Sequence, residues 1–235
     1  MIMFDPMYLV FVGPAMLLAM WAQWRVHSAY AGASQIASRS RMTGAEAAAY
    51  MLRQAGVSNV GIEPHGGQLS DHYDPRSKML RLSQNVYHGH SLASLGIAAH
   101  EAGHAIQDAE GYGPLRLRNG IVPMAAIGGR LSMVILMVGI FLLYSRSGFG
   151  NAVVWIGIGL FSLTVLFQLI NLPVEFDASK RAKVQLETFG IIAGDEAPVV
   201  RRVLSAAALT YIAVTLTAIL SLAYYLSLVT GRREE

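Results

Sequence analysis

The sequence predicts a mainly α-helical integral membrane protein, with about four transmembrane helices and a small α+β region at the membrane surface. Hydrophobic residues make up 54% of the 235 residues and charged residues only 14%, and both values are displaced from the average of soluble proteins. The apolar residues are concentrated in four segments, 7–24, 121–144, 152–172 and 203–228. Each is close to or above the length of a helix that crosses a hydrocarbon core of about 30 Å.

These segments divide the chain into five parts. They are an N-terminal transmembrane anchor at 1–26, a polar region at 27–120, a transmembrane hairpin at 121–172, a second polar segment at 173–202, and a C-terminal transmembrane helix with its tail at 203–235. We expect the first segment to be retained, because Arg25 follows it and no basic residue precedes it, the reverse of a cleavable signal peptide. A processed leader is the alternative, since Ala-x-Ala sites at 29–31 and 31–33 follow the apolar run.

The distribution of basic residues predicts the orientation. Residues 25–120 hold nine Lys and Arg, and residues 173–202 hold five, whereas the connector 145–151 holds only Arg146. The positive-inside rule therefore places both larger polar segments in the cytoplasm. Two arginines in the tail, partly countered by two glutamates within 232–235, oppose this orientation.

The polar region at 27–120 has the patterns of a small α+β fold. Thr43 and Glu46 form a capping box for a helix that Gly56 ends. Apolar and polar residues alternate at 60–62 and again at 80–83, as in short strands.

The strongest chemical signal is the pentapeptide at 100–104, which reads HEAGH. Ser91 can cap the helix that contains it, and Gly111 can end that helix. On a helix, His100 and His104 leave the same face, so both imidazoles can bind one zinc ion. Glu101 lies at the edge of that face, where its carboxylate can take a proton from a zinc-bound water. The apolar run before the motif is too short to span a membrane, which places this zincin-like catalytic region at the membrane surface.

A catalytic zinc site needs a third protein ligand, and the segment after the third span supplies the best candidate. Pro173 is expected to end one helix and open another, whose first turn would carry Glu175. Glu175 is therefore the predicted third ligand. Asp177 points away from it on such a helix and either orients a ligand or lies in solvent, and Ser179 is a possible orienting group. The alternative is that both acids are simply favourable charges at a helix N-terminus.

These stretches resemble the YugP-type neutral zinc metallopeptidases of bacterial membranes. The resemblance covers nearly the whole chain and is carried by the residues at 69–75, 80–83, 98–107 and 172–179. It implies a multi-pass zinc endopeptidase of the bacterial inner membrane, with His100 and His104 as ligands and Glu101 as general base. Glu175 fits the glutamate ligand of related peptidases. Those relatives often place Asp four residues after that Glu, whereas this chain has Ser179.

Two further sets of residues are candidates for substrate handling. His72 and Tyr73 could donate hydrogen bonds to an oxyanion at the zinc. The alternative is a turn, which the flanking Asp71 and Asp74 also indicate. An exposed strand before the zinc helix could bind an extended substrate by strand addition, and an ordinary buried strand is the alternative. The nominated strand consists of Met79, Leu80, Arg81, Leu82 and Ser83.

The composition limits cofactors and partners. We expect one Zn²⁺ per chain, a peptide or protein substrate and the lipid bilayer as partners, with an oligomer or accessory membrane protein left open. The absence of cysteine excludes disulfides and thiolate zinc sites. The net charge of +3 is attributed to membrane topology and not to nucleic-acid binding. No phosphate-binding loop is found, so no ATP is expected.

Three functions remain open at this level. The first is a membrane-anchored zinc-dependent endopeptidase with a glutamate general base. The second is an intramembrane protease of the site-2 type, whose HExxH motif would lie within a span. The third is a non-catalytic membrane scaffold stabilised by zinc, for which Glu101 would have no purpose.

Overall fold

The computed structural model describes residues 6–67 and 70–230. Leu69 and the tail charges at 232–235 lie outside the described residues. The elements in chain order are α1 (Pro6–Ser34), α2 (Gly44–Gln54), β1 (Gly61–His65), β2 (His72–Asp74), β3 (Met79–Ser83), α3 (Gln84–Tyr87), α4 (Leu92–Ala109), α5 (Gly113–Tyr144), α6 (Gly150–Thr188) and α7 (Ala197–Thr230).

Four described helices, α1, α5, α6 and α7, are long and apolar enough to cross a membrane. This confirms the predicted membrane architecture of about four spans. Each of these helices is longer than the corresponding apolar segment of the sequence. They have 29, 32, 39 and 34 residues. The helices therefore continue into the polar parts of the chain.

The expected helix break at Pro173 was wrong, because α6 continues through Pro173 to Thr188. A proline inside a helix removes one backbone hydrogen bond and crowds the preceding turn. Tertiary contacts offset that cost here. The Val174 side chain is fully buried, and its carbonyl accepts a hydrogen bond from Gln107 Nε2 at 2.9 Å.

The contacts divide the chain into two compact units. The membrane unit contains Leu117–Leu172, together with the described residues before Ala22 and from Tyr211 onward. The polar unit contains Ala22–Arg116 and Pro173–Thr210. The boundary inside α6 thus falls between Leu172 and Pro173. The five-part division proposed from the sequence stays a prediction.

The polar unit is built around one large apolar core, and a smaller cluster within the unit contains Ala33, Ala93 and Val203. Its fully buried side chains come from α2, the sheet, α4 and the second half of α6, for example Met51, Leu80, Leu95, Ile106 and Leu186. The helix α4, which carries the HExxH motif, contacts β2 and β3 of the sheet and also α6. These contacts bury the motif.

The cap signals of α2 and α4 are confirmed. The Thr43 hydroxyl accepts from Glu46 N–H, and the Glu46 carboxylate accepts from Thr43 N–H. Ser91 caps α4 by accepting from the Ser94 N–H. Gly56 and Gly111 follow these helices with φ of 71° and 68°, the left-handed conformation that favours glycine at a helix end.

The sheet corrects the predicted substrate strand. Its strand order is β1-β3-β2, with β3 parallel to β1 and antiparallel to β2. Met79–Ser83 is therefore the central strand, and neither of its edges is free to accept a substrate. Met79–Ser83 is central because the segment His72–Asp74, which has the composition of a turn, pairs with it as an edge strand. The turn itself follows at 75–78.

Candidate metal centre

His100, His104 and Glu175 meet at one point of the polar unit. Their potential ligand atoms all lie within 4.8 Å of one another. Glu175 Oε2 is 3.2 Å from His100 Nε2 and 3.6 Å from His104 Nε2. Two ligands of a tetrahedral zinc ion, each about 2.1 Å from the metal, are separated by about 3.4 Å. The spacing and the donor set of two imidazoles and a carboxylate therefore fit Zn²⁺.

Small residues allow the two ligand-bearing helices to come this close. A side chain at Gly103 would place its Cβ 2.9 Å from the carbonyl oxygen of Ala178, closer than real Cβ contacts. Ala178 at this contact is itself completely buried. The glycine within the HEAGH pentapeptide thus has a packing role, since it lets α6 deliver Glu175 to the histidines.

The second nitrogen of each imidazole has its own partner. His100 Nδ1 shares a hydrogen bond of 3.2 Å with the Ser179 hydroxyl, and His104 Nδ1 donates to Gln107 Oε1 at 3.0 Å. Such bonds fix the ring orientation of a metal-binding histidine. Ser179 was a sequence candidate for this task, whereas Gln107 was missed. Its position three residues after His104, on the same helix face, is the signal that could have identified it.

Glu101 is buried next to this group, with 9% of its surface exposed. Burial raises the pKa of Glu101 to about 7, with smaller contributions from the charges of Glu175 and Asp71, while His100 and the Tyr73 backbone N–H act in the opposite direction. The Tyr73 N–H belongs to β2, so the edge strand contacts the motif directly. A carboxyl group with a pKa near neutrality suits a general base.

Glu175, which lies in the polar unit, has the opposite electrostatic character. Burial alone would raise the pKa of Glu175, but the neighbouring imidazoles of His100 and His104 outweigh that effect and hold this pKa well below its usual range. The site therefore contains one carboxyl group whose pKa burial raises and one whose pKa the adjacent imidazoles lower. Pairs of carboxyl groups whose environments separate their pKa values mark acid and base roles.

Asp177 lies outside the group of three. Its Oδ2 accepts from Gln107 Nε2 at 2.8 Å and from Arg181 Nε at 2.5 Å. Arg181 also donates to Glu110 at 2.7 Å. Asp177 thus touches a partner of His104 and not the potential ligand atoms themselves.

The two oxyanion candidates, His72 and Tyr73, contact other residues. The Tyr73 hydroxyl donates to Asp108 at 2.7 Å, and burial, followed by this bond, raises the pKa of Tyr73 further above its usual value. The exposed His72 ring lies against the Ser70 carbonyl and the His65 ring. Among the described residues, neither side chain has a recorded contact with the three-residue group.

Comparisons with known proteins identify the family of this chain. The family described as "putative neutral zinc metallopeptidase" matches residues 8–230. A relative from Bacillus subtilis (strain 168), described as "putative membrane protease YugP", is 41% identical over 221 residues, which cover 94% of this chain and 96% of the relative. No solved structure matches the chain. Zinc is the cofactor of this family, and His100, His104 and Glu175 form a group that could hold it. The chain belongs to the neutral zinc metallopeptidase family and is a membrane protein with four candidate spans.

Proposed function

We propose that this protein is a membrane-anchored zinc endopeptidase that hydrolyses peptide bonds with a zinc-activated water. His100, His104 and Glu175 bind the metal, and Glu101 is the general base. The observation that carries the proposal is the convergence of two imidazoles from α4 and one carboxylate from α6 within 4.8 Å, beside a buried second carboxyl group.

The chemistry of the chain follows from the positions of these groups. Bound Zn²⁺ would polarise the attacking water and the scissile carbonyl. Glu101 takes the proton of that water and returns it to the leaving amine, for which its environment-raised pKa is suited. Glu175 stays ionised and neutralises part of the metal charge. The buried contacts of His100 and His104 hold both rings in place.

The edge strand β2 is the better candidate for substrate binding. Because the Tyr73 N–H is directed to Glu101, the outer edge of β2 faces the motif. In an antiparallel ladder the N–H and C=O of one residue point to the same side, so the Tyr73 carbonyl also lies on that outer edge. We propose that an extended peptide pairs with this edge and thereby presents its scissile bond above the metal.

Two alternatives fit the structure less well. The helix α4 is not one of the four described helices that could cross a membrane, which favours a site at the membrane surface over the intramembrane type. A purely structural zinc site has no need of a second carboxyl group, that of Glu101, buried beside its ligands. That feature favours catalysis over a scaffold.

We further propose that the site faces the cytoplasm of a bacterial inner membrane. Fourteen of the Lys and Arg residues fall in the two segments that carry the metal group, nine in 25–120 and five in 173–202, and positive residues are retained on the cytoplasmic side.

The Glu101→Gln variant tests the proposal. Casein cleavage by the purified protein should fall by about 10²–10⁴-fold, because an amide cannot act as a general base, while zinc content stays unchanged. Glu187→Gln is the matched control, since Glu187 pairs with the exposed Arg201 and its replacement should leave both properties intact. Full proteolysis in Glu101→Gln would refute the assigned base.

A further inference from the structure

We propose that Gln107 is a positioning residue that fixes the tautomer and orientation of His104 and ties this ligand to the helix that carries Glu175. The inference rests on the proposed function, because it concerns the same metal centre.

The contacts of Gln107 determine how its amide is oriented. Its side chain is completely buried. One end of the amide lies 2.9 Å from the Val174 carbonyl oxygen and 2.8 Å from Asp177 Oδ2. Both of these atoms are acceptors, so the amide must present its NH₂ group to them. Its oxygen therefore faces His104 Nδ1, 3.0 Å away.

This orientation fixes the state of the imidazole. An amide oxygen only accepts, so His104 Nδ1 must carry a proton. In the neutral ring the other nitrogen, Nε2, is then unprotonated. That nitrogen is the one that lies 3.6 Å from Glu175 Oε2, within the metal-binding group. Gln107 thus selects the only neutral tautomer in which His104 can bind a metal through Nε2.

The contacts of Gln107 continue beyond Asp177. We call this series, His104, Gln107, Asp177, Arg181 and Glu110, the relay. Asp177 accepts from Arg181 as well as from Gln107, and Arg181 also binds Glu110, the C-cap residue of α4. The contacts form a closed path from α4 to α6 and back, through side chains spaced along both helices. Rotation of the Gln107 amide by half a turn would direct its oxygen toward the Val174 carbonyl and Asp177 Oδ2, which are also acceptors. This repulsion keeps the amide in one orientation.

A double-mutant cycle tests the relay through the zinc affinity of the full-length protein in lipid nanodiscs, measured by competition with a chelator. Gln107→Glu keeps an acceptor for His104 but sets a second carboxylate oxygen against Asp177 and the Val174 carbonyl. We expect repulsion at these two contacts to turn the new carboxylate away from His104, and zinc then to bind about 10–100-fold more weakly, the usual effect of losing an orienting partner. Asp177→Asn can still accept from Gln107 through its amide oxygen and should change the affinity less than about threefold.

The combination Gln107→Glu/Asp177→Asn provides the decisive comparison. The amide introduced at position 177 can turn its NH₂ group toward the new carboxylate, so the double variant should bind zinc at least about tenfold more tightly than Gln107→Glu alone. The absorption spectrum of bound Co²⁺ should return toward that of the wild type in parallel. A merely structural role would not produce this rescue.

Additive losses in the double variant, or wild-type affinity in Gln107→Glu, would overturn the relay. If Gln107→Glu fails to fold, the double variant is compared with Asp177→Asn, and a loss of about tenfold or more there contradicts the proposal. The variant His104→Ala distinguishes failure of the proposed metal site from failure of the relay. If zinc binding does not depend on His104, the proposed metal site fails, whereas dependence on His104 without dependence on Gln107 overturns only the relay.

Discussion

At the scale of single residues, the site shows how one side-chain type acquires two opposite roles. Glu101 and Glu175 are both buried, but two imidazoles lie against Glu175 and keep it ionised, whereas burial is the largest influence on Glu101 and raises its pKa. The chemistry is therefore determined by the partners and not by the residue type.

This difference predicts the pH dependence of proteolysis. A general base must be ionised, so kcat/KM should rise with pH through the pKa of Glu101. Burial raises that pKa to about 7 without metal, and bound Zn²⁺ lowers it, so the acidic limb should lie between about 4.3 and about 7. Zinc content measured at each pH separates this limb from loss of metal. A rate that stays constant down to about pH 4 with zinc retained would contradict the assignment.

Single residues also show what the sequence could reveal. The spacing of His100 and His104 was sufficient to predict their common face, with Glu101 at its edge, because helix periodicity alone dictates it. Gln107 could not be assigned, since its role depends on Asp177 and the Val174 carbonyl, contacts that only the packing of α4 on α6 creates.

At the scale of elements, the distance between α4 and α6 decides whether a third ligand reaches the histidines. Local signals predicted the ends of α2 and α4 correctly, because caps and terminal glycines act within a few residues. Pro173 misled the prediction because the buried contacts of its neighbours outweigh a local helix-breaking preference. The edge strand β2 was missed for the same reason, since its pairing with β3 is nonlocal.

The close contact at Gly103 gives a test of this packing. Gly103→Ala would place a methyl group 2.9 Å from the Ala178 carbonyl oxygen, and relief of such overpacking costs about 1–3 kcal/mol. We expect α6 to shift and zinc affinity to fall by about tenfold or more. Gly159→Ala, on α6 with open space around its Cβ, is the control and should bind zinc normally. Unchanged affinity in Gly103→Ala would show that the contact does not control the site.

At the scale of the whole molecule, two membrane spans, α5 and the first part of α6, separate the histidines from Glu175 along the chain. An even number of crossings returns the chain to the same side, so the proposed metal site requires α4 and the second half of α6 to share one compartment. Hydropathy and charge predicted the number of spans and a consistent orientation, but only the tertiary structure could bring the ligands together.

Cysteine accessibility in membrane vesicles tests this topology, and the cysteine-free chain offers a clean background. Single cysteines at Gln84, Ser145 and Thr188 replace exposed residues. We expect positions 84 and 188 to react with an impermeant thiol reagent from the same side, the cytoplasmic one, and position 145 from the other. Labelling of 84 and 188 from opposite sides is incompatible with the site.

The central claim is that α4 and α6 together bind one metal ion, and the zinc content of purified variants tests it most directly. We expect about one zinc per chain in the wild-type protein and in Asp177→Ala, because a three-ligand site needs Glu175 but not its neighbour. Glu175→Ala should lose most of its zinc while keeping its fold. Wild-type protein without zinc, or zinc retained in Glu175→Ala and lost in Asp177→Ala, would contradict the claim.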